Sequence, residues 1–137
     1  MATNTAPTVP ATRAVTPRVI NTVGCTVNFD DAGIAAGVKL PASIPAGAII
    51  TRTIVVIKTA FNAATTNPLQ VGTTPTGSDV VSSTDSVAAT IGAKHPTTAT
   101  ALGVLAADTV LYANYIPTGA APTTGKAHIL FEYAFPA

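Results

Sequence analysis

Hydrophobic side chains in this chain recur at every second position, in short runs separated by Gly, Pro, Asn and Asp. In "RVINTVGCTVNF" (18–29) the odd positions, Val19, Val23, Cys25, Val27 and Phe29, are mostly apolar, Asn21 being polar. The even positions Arg18, Thr22, Thr26 and Asn28 are polar, with Ile20 and Gly24 as exceptions. Period two is the signature of a half-buried strand, and Val, Ile and Thr suit its pleated surface. "DDAG" (30–33) reads as a turn, because Asp and Gly supply local hydrogen bonds and backbone freedom. "IAAGVKL" (34–40) predicts a further strand, with Gly37 at a bulge. "PASIPAG" (41–47), with two prolines and a glycine, predicts a loop.

The run "IITRTIVVIK" (49–58) departs from simple alternation. One face carries Ile49, Thr51, Thr53, Val55 and Ile57; the other carries Ile50, Arg52, Ile54, Val56 and Lys58. Its β-branched residues favour a strand over a helix. Both faces are apolar near the middle, yet a strand in a two-sheet protein has one face on the core and the other on water. The second apolar face therefore needs a second cover, from a loop of the same chain or from a neighbouring subunit.

Beyond residue 58, Phe61 is expected to fold back into the core, "LQVGT" (69–73) to form a short strand, and "NP" and "PTG" to mark turns. Residues 80–100 are weakly patterned, with one or two short strands expected and Val87 and Ile91 facing inward. "ALGVLAADTV" (101–110) fits a helical turn or a hairpin corner. "TVLYANYI" (109–116) is a strand, and "PTGAAPTTG" (117–125) a hairpin-type loop. The last strand alternates most cleanly: Ala127, Ile129, Phe131, Tyr133 and Phe135 on one face, Lys126, His128, Leu130, Glu132 and Ala134 on the other. Its aromatic content places it in the middle of a sheet.

About eight short strands with no long helix predict an all-β fold, an antiparallel β-sandwich of jelly-roll-like form. No fixed repeat period supports a solenoid. Residues 18–137 form this single domain. Residues 1–17, with Pro7, Pro10 and Pro17 among Thr and Ala, cannot bury much of themselves. They form either a disordered tail or an extended arm that orders on a neighbouring subunit, anchored by Arg13 and Arg18.

Composition sharpens the question of what covers the second face. Hydrophobic residues make up 47% of the 137-residue chain and charged residues 9%, with a net charge of +1; globular proteins average roughly 25% charged. Such a surface repels other copies weakly and favours association. The seven basic residues are scattered, which argues against a nucleic-acid track. No run reaches the roughly 20 apolar residues of a membrane span, and "MATNTAPTVPATR" lacks the charged and apolar regions of a signal peptide. Synthesis in a cytoplasm is expected.

Residues capable of chemistry are few. Asp30–Asp31 is the one adjacent carboxylate pair, and its place before Gly33 suits a turn better than calcium, which takes six to eight oxygens. His95 and His128 have no third ligand spaced near them, so no metal site is expected. Cys25, the single cysteine, falls on an apolar strand face and reads as a buried, inert thiol. "VGTTPTG" (71–77) lacks the lysine of a phosphate-binding loop, and no GxSxG motif occurs. No catalytic residue and no cofactor is expected; the chain is not read as an enzyme.

"LPASIPAGAIITRTIVVIKTAFN", then "LQVGTT", then "VLYANYIPTGAAPTTGKAHILFEYAF" resemble, in order, small β-sandwich proteins that decorate and cement the heads of tailed bacteriophages. The resemblance spans roughly residues 19–135 and consists of turn and strand patterns; it carries no catalytic or ligand residue. It implies a structural virion protein on the capsid surface, made in the host cytoplasm, often trimeric, that bridges major capsid proteins. Its partners would be the major capsid protein and further copies of itself, with no nucleic acid and no membrane. The candidate contact residues are Val9, Arg13, Arg18, Ile50, Arg52, Ile54 and Val56. The alternative is a phage tail, fibre or other adhesion module that binds a receptor or glycan. A secreted carbohydrate-binding module is a third reading, disfavoured by the absence of Trp and of a signal peptide.

Overall fold

The computed structural model describes residues 20–136, so the arm expected at 1–17 lies outside it. Two antiparallel sheets face each other. The first contains β1 (Asn21–Asn28), β3 (Ile49–Thr59), β5 (Gly92–Lys94) and β7 (Lys126–Ala134), in the order β1-β7-β3-β5. The second contains β2 (Val38–Ile44), β4 (Leu69–Gly72) and β6 (Thr109–Tyr115), in the order β2-β6-β4. The all-β sandwich is therefore as the alternation predicts. Beside β4, Val81 forms an isolated bridge to Val71. Counting that bridge as a station between β4 and β5, the stations pair first with eighth, second with seventh, third with sixth and fourth with fifth.

The strong alternation of the last strand gives it the expected central place. β7 pairs with β1 over eight positions on one side and with β3 on the other. Ala127, Ile129 and Phe131 are fully buried and meet Cys25 and Val27 of β1 and Val55 and Ile57 of β3. Leu69, Val71, Leu111, Ala113 and Tyr115 of the second sheet close the core from the other side. Each large side chain so buried contributes about 1.5–3 kcal/mol. Phe61 folds back as expected and meets Tyr115 edge to face, with centroids 4.8 Å apart. Burial raises the Tyr115 hydroxyl's pKa, and that hydroxyl donates to Asn67 Oδ1 at 2.6 Å. The Phe61 ring leaves no space for a side chain at residue 125: a Cβ there would lie 2.5 Å from Phe61 Cδ1, so Gly125 is required by close approach.

Four expectations need correction. Pro41–Ile44 is strand, not loop: β2 is an edge strand, where a proline without N–H is tolerated, and its register shifts between Lys39 and Ser43. Residues 34–36 belong to turns, and the strand begins only after Gly37, whose φ is +103° and whose Cα packs against Pro75. Val87 and Ile91 face outward, 46% and 65% exposed. Val87 sits in left-handed conformation as the C-cap of α1 (Ser83–Ser86), which turns the chain away from the core; Ile91 precedes the short edge strand β5. The segment 117–125 is not a hairpin loop, because β6 and β7 lie in different sheets. It crosses the sandwich and is sewn to the loop after β3: Thr123 N and Thr124 N both donate to Asn62 Oδ1, at 2.8 and 2.9 Å.

The ambiguous stretch before β6 resolves as a 3-10 turn, Thr98–Leu102. Thr98 Oγ1 donates to Asp85 Oδ2 at 2.7 Å, and Ser82 caps α1 by accepting from Asp85 N at 3.3 Å. Among the described residues one buried side-chain polar atom is not satisfied: Thr53 Oγ1 lies opposite Phe131 without a hydrogen-bond partner. An orphaned buried hydroxyl is destabilising, and valine has the same shape. Thr53→Val should therefore raise unfolding free energy by about 1 kcal/mol, read as a higher midpoint with unchanged slope in urea denaturation.

Candidate interaction surface

The outer face of the four-stranded sheet carries the second apolar surface. The β3–β7 register sets Ile54 opposite Leu130 and Val56 opposite His128, while β1 sets Gly24 beside Leu130 and Thr26 beside His128. Ile54, Val56, His128 and Leu130 are half-buried. Leu130 leans across Gly24, where a Cβ would lie only 2.8 Å from Leu130 Cδ2. Beside it lies a shallow groove of about 420 Å³, lined by Gly24, Thr26, Val56, Lys58, His128 and Leu130. Its polar margin is organised: Thr26 Oγ1 and His128 Nδ1 are 2.7 Å apart, and Arg52 and Glu132 form an ion pair at 3.9 Å. That pair is solvent-exposed on the Arg52 side and adds little stability; it marks the rim.

The contact residues expected from the sequence do not all come together. Arg52, Ile54 and Val56 share this outer face. Ile50 does not: it is 4% exposed and packs in the core. A bulge between Ile50 and Arg52 inserts Thr51 into the strand, which shifts the side-chain phase by one and turns Ile50 inward. Val9, Arg13 and Arg18 lie outside the described residues. Leu130 and Gly24 belong to the surface but were not singled out from the sequence. Leu130 was legible as the apolar member of the polar face of the last strand; Gly24 stood out only as a break in its strand's alternation.

The carboxylates serve loops. Asp31 accepts from Asn28 N at 2.9 Å, Asp79 from Thr73 N and Oγ1 at 2.8 and 2.7 Å, and Asp108 from Ala46 N at 2.9 Å. Among the described residues, no three of His, Cys, Asp and Glu gather closely enough to hold a metal ion, and no helix is long and apolar enough to cross a membrane. Cys25 is buried, and desolvation pushes its thiol up to about 11.

No family model matches the chain, and no curated protein matches it in sequence. Solved structures do match in fold. A chain of the cyanophage Pam1 capsid asymmetric unit aligns over 98% of this chain and 99% of its own length, with a TM-score of 0.63 and 21% identity. A chain of the capsid of Ralstonia phage GP4 aligns over 86% of this chain and 85% of its own, with a TM-score of 0.57 and 15% identity.

The raised pKa of Cys25 gives a direct test of its burial. Its protonated form is favoured by folding, so this contribution is intact below pH 9 and is lost as pH rises from 9.0 toward about 11. At pH 8 the native thiolate fraction should be about a hundredfold below that of an unperturbed cysteine. Maleimide labelling of the folded protein should be correspondingly slow and become fast in denaturant.

Proposed function

We propose that this chain is a structural protein of a bacteriophage virion that decorates the capsid surface and cements it by bridging major capsid proteins. The observation that carries this reading is the fold match to chains of two phage capsids, one of them along nearly the whole of both chains. The nested first-to-last pairing supports a jelly-roll sandwich whose fifth strand is reduced to the Val81 bridge. The outer surface around Ile54, Val56 and Leu130, rimmed by Arg52 and Glu132, is the proposed contact face with a sister copy or with the capsid. An apolar centre with a charged rim is the usual anatomy of an interface.

The work done is mechanical. A stable contact buries about 1,000 Å² or more. A protein that binds only the expanded shell stabilises that shell by mass action, and many copies on one lattice act together through their high effective concentration. A homotrimer over a local symmetry axis would engage several capsid subunits at once. The protein would be synthesised in the host cytoplasm and act on the virion, without cofactor or catalysis. A glycan-binding adhesion module is less well supported, because glycan sites stack sugars on exposed rings and every described Phe and Tyr is at least half-buried.

Mixing the protein with expanded and unexpanded shells of its phage, then sedimenting them, tests the reading. Expanded shells should retain the wild type and resist heat better. Val56→Asp places an uncompensated charge in the centre of the proposed face and should cut retention by tenfold or more, about 1.4 kcal/mol, with an unchanged circular dichroism spectrum. Equal retention of wild type and variant would remove this face from the contact; no retention of the wild type on either shell would sink the cementing role.

A further inference from the structure

The chain treats the two outer faces of its sandwich differently. In β6, Leu111, Ala113 and Tyr115 turn to the core, so Val110, Tyr112 and Asn114 turn outward. Over one end of this second face the chain lays its own 73–79 loop. Asn114 is 1% exposed and donates through Nδ2 to Gly77 O at 3.3 Å. A Cβ at Gly72 would collide with the Gly77 backbone, and Asp79 closes the loop by accepting from Thr73 N and Oγ1. On the first sheet, the groove beside Leu130 stays open.

Charge divides the faces as well. Ala127, Ile129 and Phe131 of β7 are buried, so Lys126, His128, Leu130 and Glu132 turn outward. Arg52 stands opposite Glu132 at one end of this face, and Thr59 opposite Lys126 at the other. The register shift between Ile57 and Thr59 falls at Lys58, which lines the groove with Val56 and His128. Lys39 belongs to the second sheet, and Lys94 is in register with the buried Val55. Arg52, Lys58 and Lys126 therefore share the open face. Among the described residues the one ion pair joins Arg52 to Glu132. Lys58 and Lys126 are exposed and have no counter-charge. Asp31, at their end of the sheet, is engaged by Asn28 N and Nδ2 at 2.9 and 3.3 Å.

We propose that this face docks an acidic, apolar-centred segment of a different protein. Its apolar side chains enter the groove over Val56 and Leu130, and its carboxylates meet Lys58 and Lys126. The inference rests on the interface reading of this face and chooses between its two partners. A second copy of the chain is a poor occupant, because its acids are already engaged. Glu132 is held by Arg52. Asp31, Asp79, Asp85 and Asp108 each accept hydrogen bonds that fix their own turns and loops. Stacking the face on itself would bring Lys58 and Lys126 against threonines, apolar residues and a neutralised Glu132. An ammonium buried without a partner is costly. An acidic segment meets the same two cations with complementary charge, which speeds docking and rejects wrong partners.

The test is an amide chemical-shift titration of the full chain with two peptides, acetyl-Glu-Val-Leu-Val-Glu-amide and the same peptide with Gln in place of Glu. The acidic peptide should move the amides of Gly24, Thr26, Val56 and His128. At low salt it should bind about tenfold more tightly than its neutral twin, the worth of two exposed ion pairs. High salt should shrink that preference. The double substitution Lys58→Gln with Lys126→Gln should abolish it, whereas Lys39→Gln, on the other sheet, should leave it intact. Equal binding of the two peptides, shifts centred elsewhere, or no shifts would overturn the proposal. So would light scattering that shows an oligomer which the double variant converts to monomer, since a copy would then fill the face. Shell retention reads the capsid role separately. Peptide selectivity without retention removes the capsid and keeps the acidic segment; retention without selectivity does the reverse.

Discussion

Every strand of the first sheet except β5 is registered directly against β7. It pairs with β1 over eight positions and with β3 on its other side, although β1 and β7 lie at opposite ends of the described chain. The first sheet cannot close until the last strand is in place. This long-range pairing also sets the core, since Ala127, Ile129 and Phe131 meet both neighbours and the opposite sheet. Contacts of such sequence separation carry a large loop-closure entropy and make folding slow. The loops that make closure workable are held by side-chain oxygens: Asn62 on the 123–124 segment, Asn67 on Tyr115, Asp85 on Thr98.

The same central strand creates the outer surface. Because β7 is flanked on both sides, Leu130 and His128 on its outer face are brought between Gly24 and Thr26 of β1 and Ile54 and Val56 of β3. Three strands each contribute one or two ordinary residues, and their sum is a groove with an apolar floor and a polar rim. Nothing about any one strand is unusual except β3, whose two-faced apolarity requires cover on both sides. One cover is the core. The chain as described leaves the other half-open.

What was legible depended on how far the deciding interaction was local. The alternation of β1, β6 and β7 is a property of successive residues, and burial follows it: Cys25, Val27, Ala127, Ile129 and Phe131 all turn inward as predicted. The phase of β3 was legible from Thr53 onward and not before, because the bulge at Thr51 is set by pairing with Tyr133 and Glu132, far along the chain. Pro41 was read as a loop residue because an edge strand and a loop accept proline for the same reason. The segment 80–108 has weak periodicity because its residues are placed by caps and single hydrogen bonds. The candidate surface was half legible: Arg52, Ile54 and Val56 share the face, Ile50 does not, and the glycine that shapes the groove is visible only once Leu130 is seen above it.

Low charge, hydroxyl-rich turns and one half-covered apolar face are consistent with a protein whose stability is shared with its surroundings. A monomer with 9% charged residues has little electrostatic repulsion to keep copies apart, so unwanted association must be prevented by the shapes of its edges. Lys39, Pro41, Lys94 and the Val81 bridge do that at three edges, and they do it without adding many charges. Selective protection of three edges makes the untreated one informative. Among the described residues β1 is the edge without such a device, and an unguarded strand of eight residues is a hazard in a protein meant to remain alone.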